Sequence, residues 1–159
     1  MTDGPRPRVS RAAFLLGFAG LLPQVAAVLL LASGVGDAKA DGLGVGLGLS
    51  IASVYAAAIL SFLGGIWWGL AMRRASQQGA IAAIAVLPSL AAVALILAGA
   101  IGLPSRWVLI ALGIAIILTL PVDRRLAATG EAPEGWMRLR VPLSLGLGGL
   151  TILAGLLAA

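Results

Sequence analysis

The feature that most constrains this chain is the recurrence of apolar runs, each of about 20 residues, which is the length that crosses a bilayer as a helix. Five such runs follow one another, separated by short segments that carry the charges or contain Gly and Pro. Inside lipid every backbone N–H and C=O must be bonded within the protein, so such runs fold as helices. Alternation of apolar and polar residues, which would indicate a β-barrel, is missing. The sequence therefore predicts an all-α bundle of five transmembrane helices.

The predicted organisation is a single transmembrane domain, residues 12–159, which follows a flexible cytoplasmic N-terminal segment, residues 1–11. Its spans are expected at residues 12–33, 43–72, 80–101, 106–122 and 141–159, and residues 123–140 form the largest polar loop. The chain is 60% apolar and 11% charged, whereas soluble chains are about 45–50% apolar and 25% charged. No separate soluble domain is therefore expected.

The distribution of Lys and Arg predicts the orientation of the bundle. Nine lie on the side of the N-terminus and only Lys39 and Arg106 lie on the other side. Because basic residues concentrate in cytoplasmic loops, we expect a cytoplasmic N-terminus, a periplasmic C-terminus and a location in a bacterial inner membrane. All four tryptophans fall at predicted membrane edges, as in an aromatic belt: Trp67, Trp68, Trp107 and Trp136.

The composition limits the chemistry that the chain can perform. It contains no cysteine and no histidine, which excludes disulfides, thiolate or histidine metal sites and histidine base catalysis. No Asp, Glu, Lys, Arg or His lies within the cores of the predicted spans, although such groups mark most proton relays and ion-coupled carriers. We therefore expect no cofactor and no metal, and the composition disfavours an enzyme. The net charge of +5 follows from topology and does not indicate nucleic-acid binding.

A few polar residues are expected deep in the membrane. Counting along antiparallel spans puts Gln24, Ser53, Tyr55 and Ser89 at a similar depth, and prolines precede two of them. One interpretation is a layer of mutually hydrogen-bonded side chains, each pair worth about 0.6 kcal/mol. The other is a midplane pocket for a small neutral or amphiphilic molecule.

The second span carries small residues that predict close helix packing. Helical projection collects Gly and Ser residues in one sector that should face the bundle, and it puts Phe62 roughly opposite, toward lipid. Gly65 and Gly69 form a GxxxG pair. The candidate packing residues of this span are Ser61, Gly64, Gly65, Trp68 and Gly69, within a sector that also holds Gly46, Ser50, Ser53 and Ala57.

A second cluster is expected at the cytoplasmic edge. Arginines beside indoles either represent ordinary positive-inside charge or bind anionic lipid headgroups or a phosphorylated ligand. We expect Asp123 to pair with Arg138 or Arg140 and so to dock the loop against the bundle, and we expect Glu131 and Glu134 to be solvated. The cluster comprises Arg73, Arg74, Asp123, Trp136, Arg138 and Arg140.

Several stretches resemble a family of small multi-pass membrane proteins. They are Leu16–Pro23, Leu87-Pro88, Trp136-x-x-Leu-Arg140, which leads into Leu143-Ser144, and above all Ser61-Phe-Leu-Gly-Gly-x-x-Trp-Gly69. The family is catalogued in bacteria as a domain of unknown function, with a mitochondrial transmembrane relative in animals. The resemblance implies a five-helix inner-membrane protein without an assigned activity, with signature positions at Pro23, Tyr55, Ser61, Phe62, Gly64, Gly65, Trp68, Gly69, Trp136 and Arg140.

Two classes of function follow from these observations. The leading hypothesis is an integral inner-membrane protein of unassigned activity, acting as a structural or accessory protein or as a binder of lipid or a small hydrophobic molecule. The alternative is a small transporter or channel with a polar midplane pocket, formed as an oligomer because five short spans enclose little volume. The expected partners are membrane lipids and either a second copy or another membrane protein.

Overall fold

A computed structural model describes residues 8–34 and 46–158. Residues 1–7, Lys39 and the first residues of the second predicted span lie outside the described part of the chain. Within that part the chain is helical, with a single isolated bridge between Arg8 and Glu134. The helices are α1 (Arg11–Ala19), α2 (Leu22–Ser33), α3 (Leu47–Ala71), α4 (Gln78–Ala100), α5 (Ser105–Leu118), α6 (Leu120–Ala128) and α7 (Trp136–Leu157).

These helices give five segments that are long and apolar enough to cross a membrane. The first segment combines α1 with α2, the fourth combines α5 with α6, and the segments contain 22 to 25 residues each. The prediction of an all-helical chain with five candidate spans is therefore confirmed for the described residues.

The boundaries around the predicted loop 123–140 differ from the expectation. Helix α6 continues the fourth span to Ala128 and α7 begins at Trp136, so the connection contains only residues 129–135. The charged residues Asp123 and Arg140 consequently belong to helices. The reason is that these two residues pair with each other inside the bundle, which removes the cost that isolated charges would carry there.

Prolines interrupt two of the spans. Pro23 lies in the first turn of α2 and Pro121 lies in the first turn of α6. Proline has no N–H to bond the carbonyl four residues earlier, and its ring crowds that carbonyl. The first span therefore breaks between Ala19 and Leu22, and the fourth breaks at Thr119.

A close backbone contact joins α5 to α7 through glycines. A Cβ atom built on Gly113 would lie 2.6 Å from the carbonyl oxygen of Gly148, and one built on Gly148 would lie 2.8 Å from that of Gly113. A Cβ on Gly155 would likewise lie 2.8 Å from the Arg106 carbonyl oxygen. Neither backbone leaves room for a side chain, so the two helices touch along their main chains, as small residues permit in lipid.

Helix α3 buries a different face from the one predicted. Ser61 is half-buried, Trp68 is 46% exposed, and a Cβ on Gly65 or Gly69 would meet nothing within 4 Å. Of the candidate packing residues, Gly64 makes the close contact, because a Cβ there would lie 2.3 Å from the Ala85 carbonyl oxygen of α4. The buried face continues a neighbouring small-residue row into large apolar side chains that fill the core: Gly48, Ala52, Ala56, Leu60, Leu63, Gly64, Trp67 and Ala71.

Candidate functional site

A buried ion pair joins α6 to α7 near one end of the bundle. The Asp123 side chain is 2% exposed and that of Arg140 is 8% exposed. Arg140 donates from Nε to Asp123 Oδ2 over 2.8 Å, and its Nη2 lies 2.7 Å from the same oxygen. The expected pairing of Asp123 with one of two arginines is confirmed for Arg140, although the pair joins two helices and does not dock a loop.

Three further side chains surround this pair. The indole Nε1 of Trp67 donates to Asp123 Oδ1 over 2.8 Å, so both carboxylate oxygens have a donor. Arg140 Nη2 lies 3.5 Å from Thr119 Oγ1, and its guanidinium carbon lies 5.8 Å from the centre of the Trp136 ring. Trp67 is 3% exposed, so its indole faces the inside of the bundle, where its N–H bonds a buried carboxylate.

The other residues of the predicted cytoplasmic edge lie outside this cluster. Arg74 donates from Nε and Nη2 to the carboxylate of Glu131, over 2.7 and 2.6 Å. Bonding to Arg74 holds the pKa of Glu131 below its ordinary value of 4.5, although partial burial opposes that shift. The same bond raises the pKa of Arg74.

The expectation that both loop acids are solvated is therefore wrong for Glu131, which has an arginine within reach across the loop. Glu134, whose side chain is 49% exposed, also pairs with Arg8 over 2.8 Å. Arg73 and Arg138 are exposed. Of the predicted edge cluster, the structure brings together Asp123, Arg140 and Trp136 and leaves the remaining arginines apart.

The four predicted midplane residues do not form a mutual network among the described residues. Gln24 donates from Nε2 to Thr151 Oγ1 over 3.0 Å, and Ser53 donates to the Leu49 carbonyl oxygen of its own helix over 2.8 Å. Tyr55 donates its hydroxyl to the Gly20 carbonyl oxygen at the break between α1 and α2. Ser89 is half-buried and no hydrogen bond joins it to the other three.

A cavity of about 320 Å³ lies between the first span and helices α3, α5 and α7. Its walls are almost entirely apolar, and its polar groups come from Arg140, Ser144 and Tyr55. The apolar and glycine lining consists of Leu16, Gly17, Gly20, Leu21, Ile59, Phe62, Leu63, Ile116, Leu143 and Leu147.

Arg140 and Ser144 form a polar end of the cavity, Tyr55 lies away from that end at the Gly20 carbonyl, and the cavity opens at the side of the bundle. Arg140 lies in the second turn of α7, and Ser144 and Leu147 follow about 6 and 10 Å further along the helix axis. The lining residues Leu16 and Phe62 are 74% and 63% exposed on the apolar outer surface. The cavity thus runs inward from the guanidinium and communicates with the lipid-facing surface.

Sequence reasoning missed two polar residues that the structure brings to these sites. They are Thr119 and Ser144, which are at most 3% exposed. Each is a hydroxyl residue within an apolar run, which is common in membrane helices where hydroxyls bond their own backbone. The sequence offered no signal that separates them from such hydroxyls, except that Ser144 lies in a stretch that carried the family resemblance.

The described residues offer no cluster of three His, Cys, Asp or Glu side chains that could hold a metal ion. Among the described residues that line the cavity, neither hydroxyl is paired to a general base. What this arrangement provides is an apolar enclosure with a polar end, which is suited to binding.

Five apolar segments, each long enough to cross a membrane and with its charges near the ends, define a multi-pass membrane protein. Residues 9–157 match the family described as protein of unknown function (DUF3429), and the chain belongs to that family. The resemblance to a domain of unknown function is thus confirmed, while the bacterial origin and the mitochondrial relation stay predictions. No curated protein and no solved structure matches the chain.

Proposed function

We propose that this protein binds a small lipid-soluble molecule in its lateral cavity, as a multi-pass protein of a bacterial cytoplasmic membrane. The observation that carries the proposal is the cavity of about 320 Å³, which has lipid-facing side chains at its mouth and polar groups at one end. Protein interiors are close-packed and rarely leave a space this large. The volume falls within the range of small-molecule sites, about 300–1,000 Å³.

The position of the cavity indicates the route by which a ligand enters. Because Leu16 and Phe62 flank it on the outer surface, a molecule dissolved in the bilayer reaches it sideways without crossing an aqueous phase. The apolar walls stabilise the apolar part of such a molecule, and burial of that part contributes about 25 cal/mol per Å².

The proposed function includes the orientation of the chain. Nine Lys and Arg residues on one side against two on the other support a cytoplasmic N-terminus and a periplasmic C-terminus. In that orientation Arg140 and the polar end of the cavity lie toward the cytoplasmic leaflet. Association with a second copy or another membrane protein stays a prediction.

The proposal is tested by a substitution on α1 that places a larger side chain in the cavity. Gly17 lines the cavity, and a Cβ there would lie 3.0 Å from Leu143 Cδ1, a flexible side chain that can move. Gly17→Leu is therefore expected to occupy the cavity while the bundle still folds. Gly65→Leu is the matched control, because a Cβ at Gly65 meets nothing within 4 Å.

Native mass spectrometry of the purified wild-type protein should detect a bound lipid-soluble molecule, which Gly17→Leu loses and Gly65→Leu retains. Thermal unfolding of both variants checks that they are folded. A wild-type protein that carries no such molecule, or equal retention by the two variants, would contradict the proposal. Transport of the molecule between the leaflets of reconstituted vesicles would favour the transporter alternative.

The orientation is tested with single cysteines, since the chain has none of its own. Ser76→Cys lies in the connection between α3 and α4, and Ser105→Cys lies at the opposite end of the bundle. In intact cells a membrane-impermeant thiol reagent should label Ser105→Cys and leave Ser76→Cys unlabelled until the membrane is opened. The reverse pattern would overturn the orientation.

A further inference from the structure

We propose that the lateral cavity selects neutral amphiphiles whose polar end is a carbonyl oxygen. This inference rests on the proposed function, since it specifies the chemistry of the molecule that the cavity holds. Three observations support it. They are a buried hydroxyl without a hydrogen-bond partner, an arginine nitrogen without a hydrogen-bond partner, and a net charge of zero at the polar end.

The hydroxyl belongs to Ser144, which lines the cavity and is 1% exposed. Its Oγ has no hydrogen-bond partner. Two other hydroxyls in the bundle behave in the usual way and bond the carbonyl four residues earlier, Ser53 to Leu49 over 2.8 Å and Thr151 to Leu147 over 2.7 Å. A buried hydroxyl without a partner is costly, so Ser144 is a donor that a bound acceptor would satisfy.

Arg140 lies one helical turn before Ser144 on the same face of α7, where side chains four residues apart are neighbours. Its Nε and Nη2 bond Asp123 and approach Thr119. Nη1 has no hydrogen bond to any described residue. Arginine donates and never accepts, and the Ser144 hydroxyl has no acceptor of its own. A single acceptor on the ligand therefore satisfies both residues of the polar end.

The charge at this end indicates that the acceptor is neutral. The guanidinium of Arg140 is balanced by the carboxylate of Asp123, which Trp67 and Arg140 both hold in place. Apart from Tyr55, Arg140 is the only ionisable residue among the described residues that line the cavity. A carboxylate or phosphate head would bring an unbalanced negative charge into a buried site, at a high cost in free energy. A carbonyl oxygen accepts the same hydrogen bonds without that cost.

Two sources supply such a group in membranes, the ester of a glycerolipid and the ring carbonyl of a quinone. The experiment uses the full chain in dodecyl maltoside, a detergent without a carbonyl group. The probes are dioctanoylglycerol, decylubiquinone, decanoate as the anionic head and decane as the chain without a head. Native mass spectrometry and ligand-induced thermal shifts give the dissociation constant of each.

At least one of the two neutral carbonyl probes should bind about tenfold or more tightly than decanoate and decane, and comparison of the two identifies the source. Ser144→Ala should weaken that binding about tenfold, the value of one hydrogen bond from a buried donor. Ser53→Ala, which loses a hydroxyl bonded within its own helix, should leave binding unchanged. Since Ser144→Ala removes an unpaired hydroxyl, it should fold at least as stably as the wild type.

Decanoate that binds as tightly as the carbonyl probes, or unchanged binding in Ser144→Ala, would overturn the inference while the cavity remained a binding site. Failure of all four probes to bind, together with a wild-type protein that retains no molecule lost in Gly17→Leu, would overturn both this inference and the proposed function.

Discussion

Two ion pairs lie near the same end of the bundle, and a comparison of them shows what burial changes. Their N–O distances are almost equal, 2.7 Å for Arg140–Asp123 and 2.6 Å for Arg74–Glu131. The side chains of the first pair are 8% and 2% exposed, whereas those of the second are 21% and 20% exposed. The first pair also has an indole donor on its second carboxylate oxygen.

The two ion pairs have almost equal N–O distances, but we expect them to contribute differently to the free energy of unfolding. Water and salt reach the partly exposed Arg74–Glu131 pair and screen its attraction, so its contribution is small. In the buried pair, loss of one partner leaves the other charge without compensation in an apolar surrounding. The Asp123–Arg140 pair therefore acts as a single unit, while the Arg74–Glu131 pair can be lost with little consequence.

The largest effect is expected from Asp123→Asn, which leaves the Arg140 guanidinium buried without a counter-charge. The free energy of unfolding, measured by denaturant titration in mixed micelles, should fall by about 3–5 kcal/mol. The double replacement Asp123→Leu with Arg140→Met removes both charges and should recover most of that loss. If the double variant were as unstable as the single one, the account of an uncompensated charge would be wrong.

Trp67→Phe should rank second, because it removes the N–H that bonds Asp123 Oδ1 while it leaves both charges in place. A hydrogen bond to a charged group contributes about 1.5–3 kcal/mol, and the free energy of unfolding should fall by that amount. Trp68→Phe is the matched control, since Trp68 is 46% exposed and its loss should have little effect. Equal losses in the two variants would contradict the role assigned to the Trp67 indole.

Arg140→Lys keeps the positive charge but loses the planar guanidinium, with its paired donors and its contact with Trp136. We expect a loss of about 1–1.5 kcal/mol, the net value of a hydrogen bond, in the same unfolding measurement. Arg138→Lys, two residues earlier on the exposed side of α7, should leave stability unchanged. A loss in Arg140→Lys as large as that in Asp123→Asn would show that charge alone does not hold the pair.

Glu131→Gln should have the smallest effect, a small but measurable loss in the free energy of unfolding at neutral pH. The pKa of Glu131 is lowered in the folded state by Arg74. Its contribution is therefore complete above the ordinary carboxyl pKa of 4.5 and is lost as the pH falls through the lowered value. Unfolding measured against pH should show an acid decline in the wild type that is shallower in the variant, and identical profiles would contradict the assignment.

The helices could be predicted from the sequence because length and apolarity decide them one segment at a time. The charges at the ends of α6 and α7 could not be assigned in this way. The pairing of Asp123 with Arg138 or Arg140 was predicted, but no single segment shows that the pair lies inside the bundle, and both residues were assigned to a loop.

The rotation of each helix about its own axis, which decides the face that it buries, could not be predicted from the sequence either. In water an amphipathic pattern marks the buried face, but in lipid both faces are apolar, and small residues are the main guide. On α3 two rows of small residues adjoin, and the buried row is the one that continues into Leu60, Leu63 and Trp67. The Gly65 and Gly69 pair faces open space, so the motif alone was misleading.

The sequence indicates which polar residues lie within the bundle, but it does not indicate which of them form hydrogen bonds with each other. Gln24 was expected within a polar layer, but its partner Thr151 lies on α7 and 127 positions away. The cavity is formed where α1, α3, α5 and α7 pack incompletely against one another. A pattern within one helix cannot predict such a gap between four helices.

The helices that line the cavity differ in how tightly they pack against the rest of the bundle. On one side α7 is pressed against α5 through Gly113 and Gly148, where no shift is possible without backbone collision. On the other side α1 buries none of its side chains. An outward movement of α1 would expose the Leu139 and Leu143 side chains that face Gly17 and would break the Tyr55–Gly20 bond. We therefore expect ligands of different width to be accommodated by movement of α1 and not of α5 or α7.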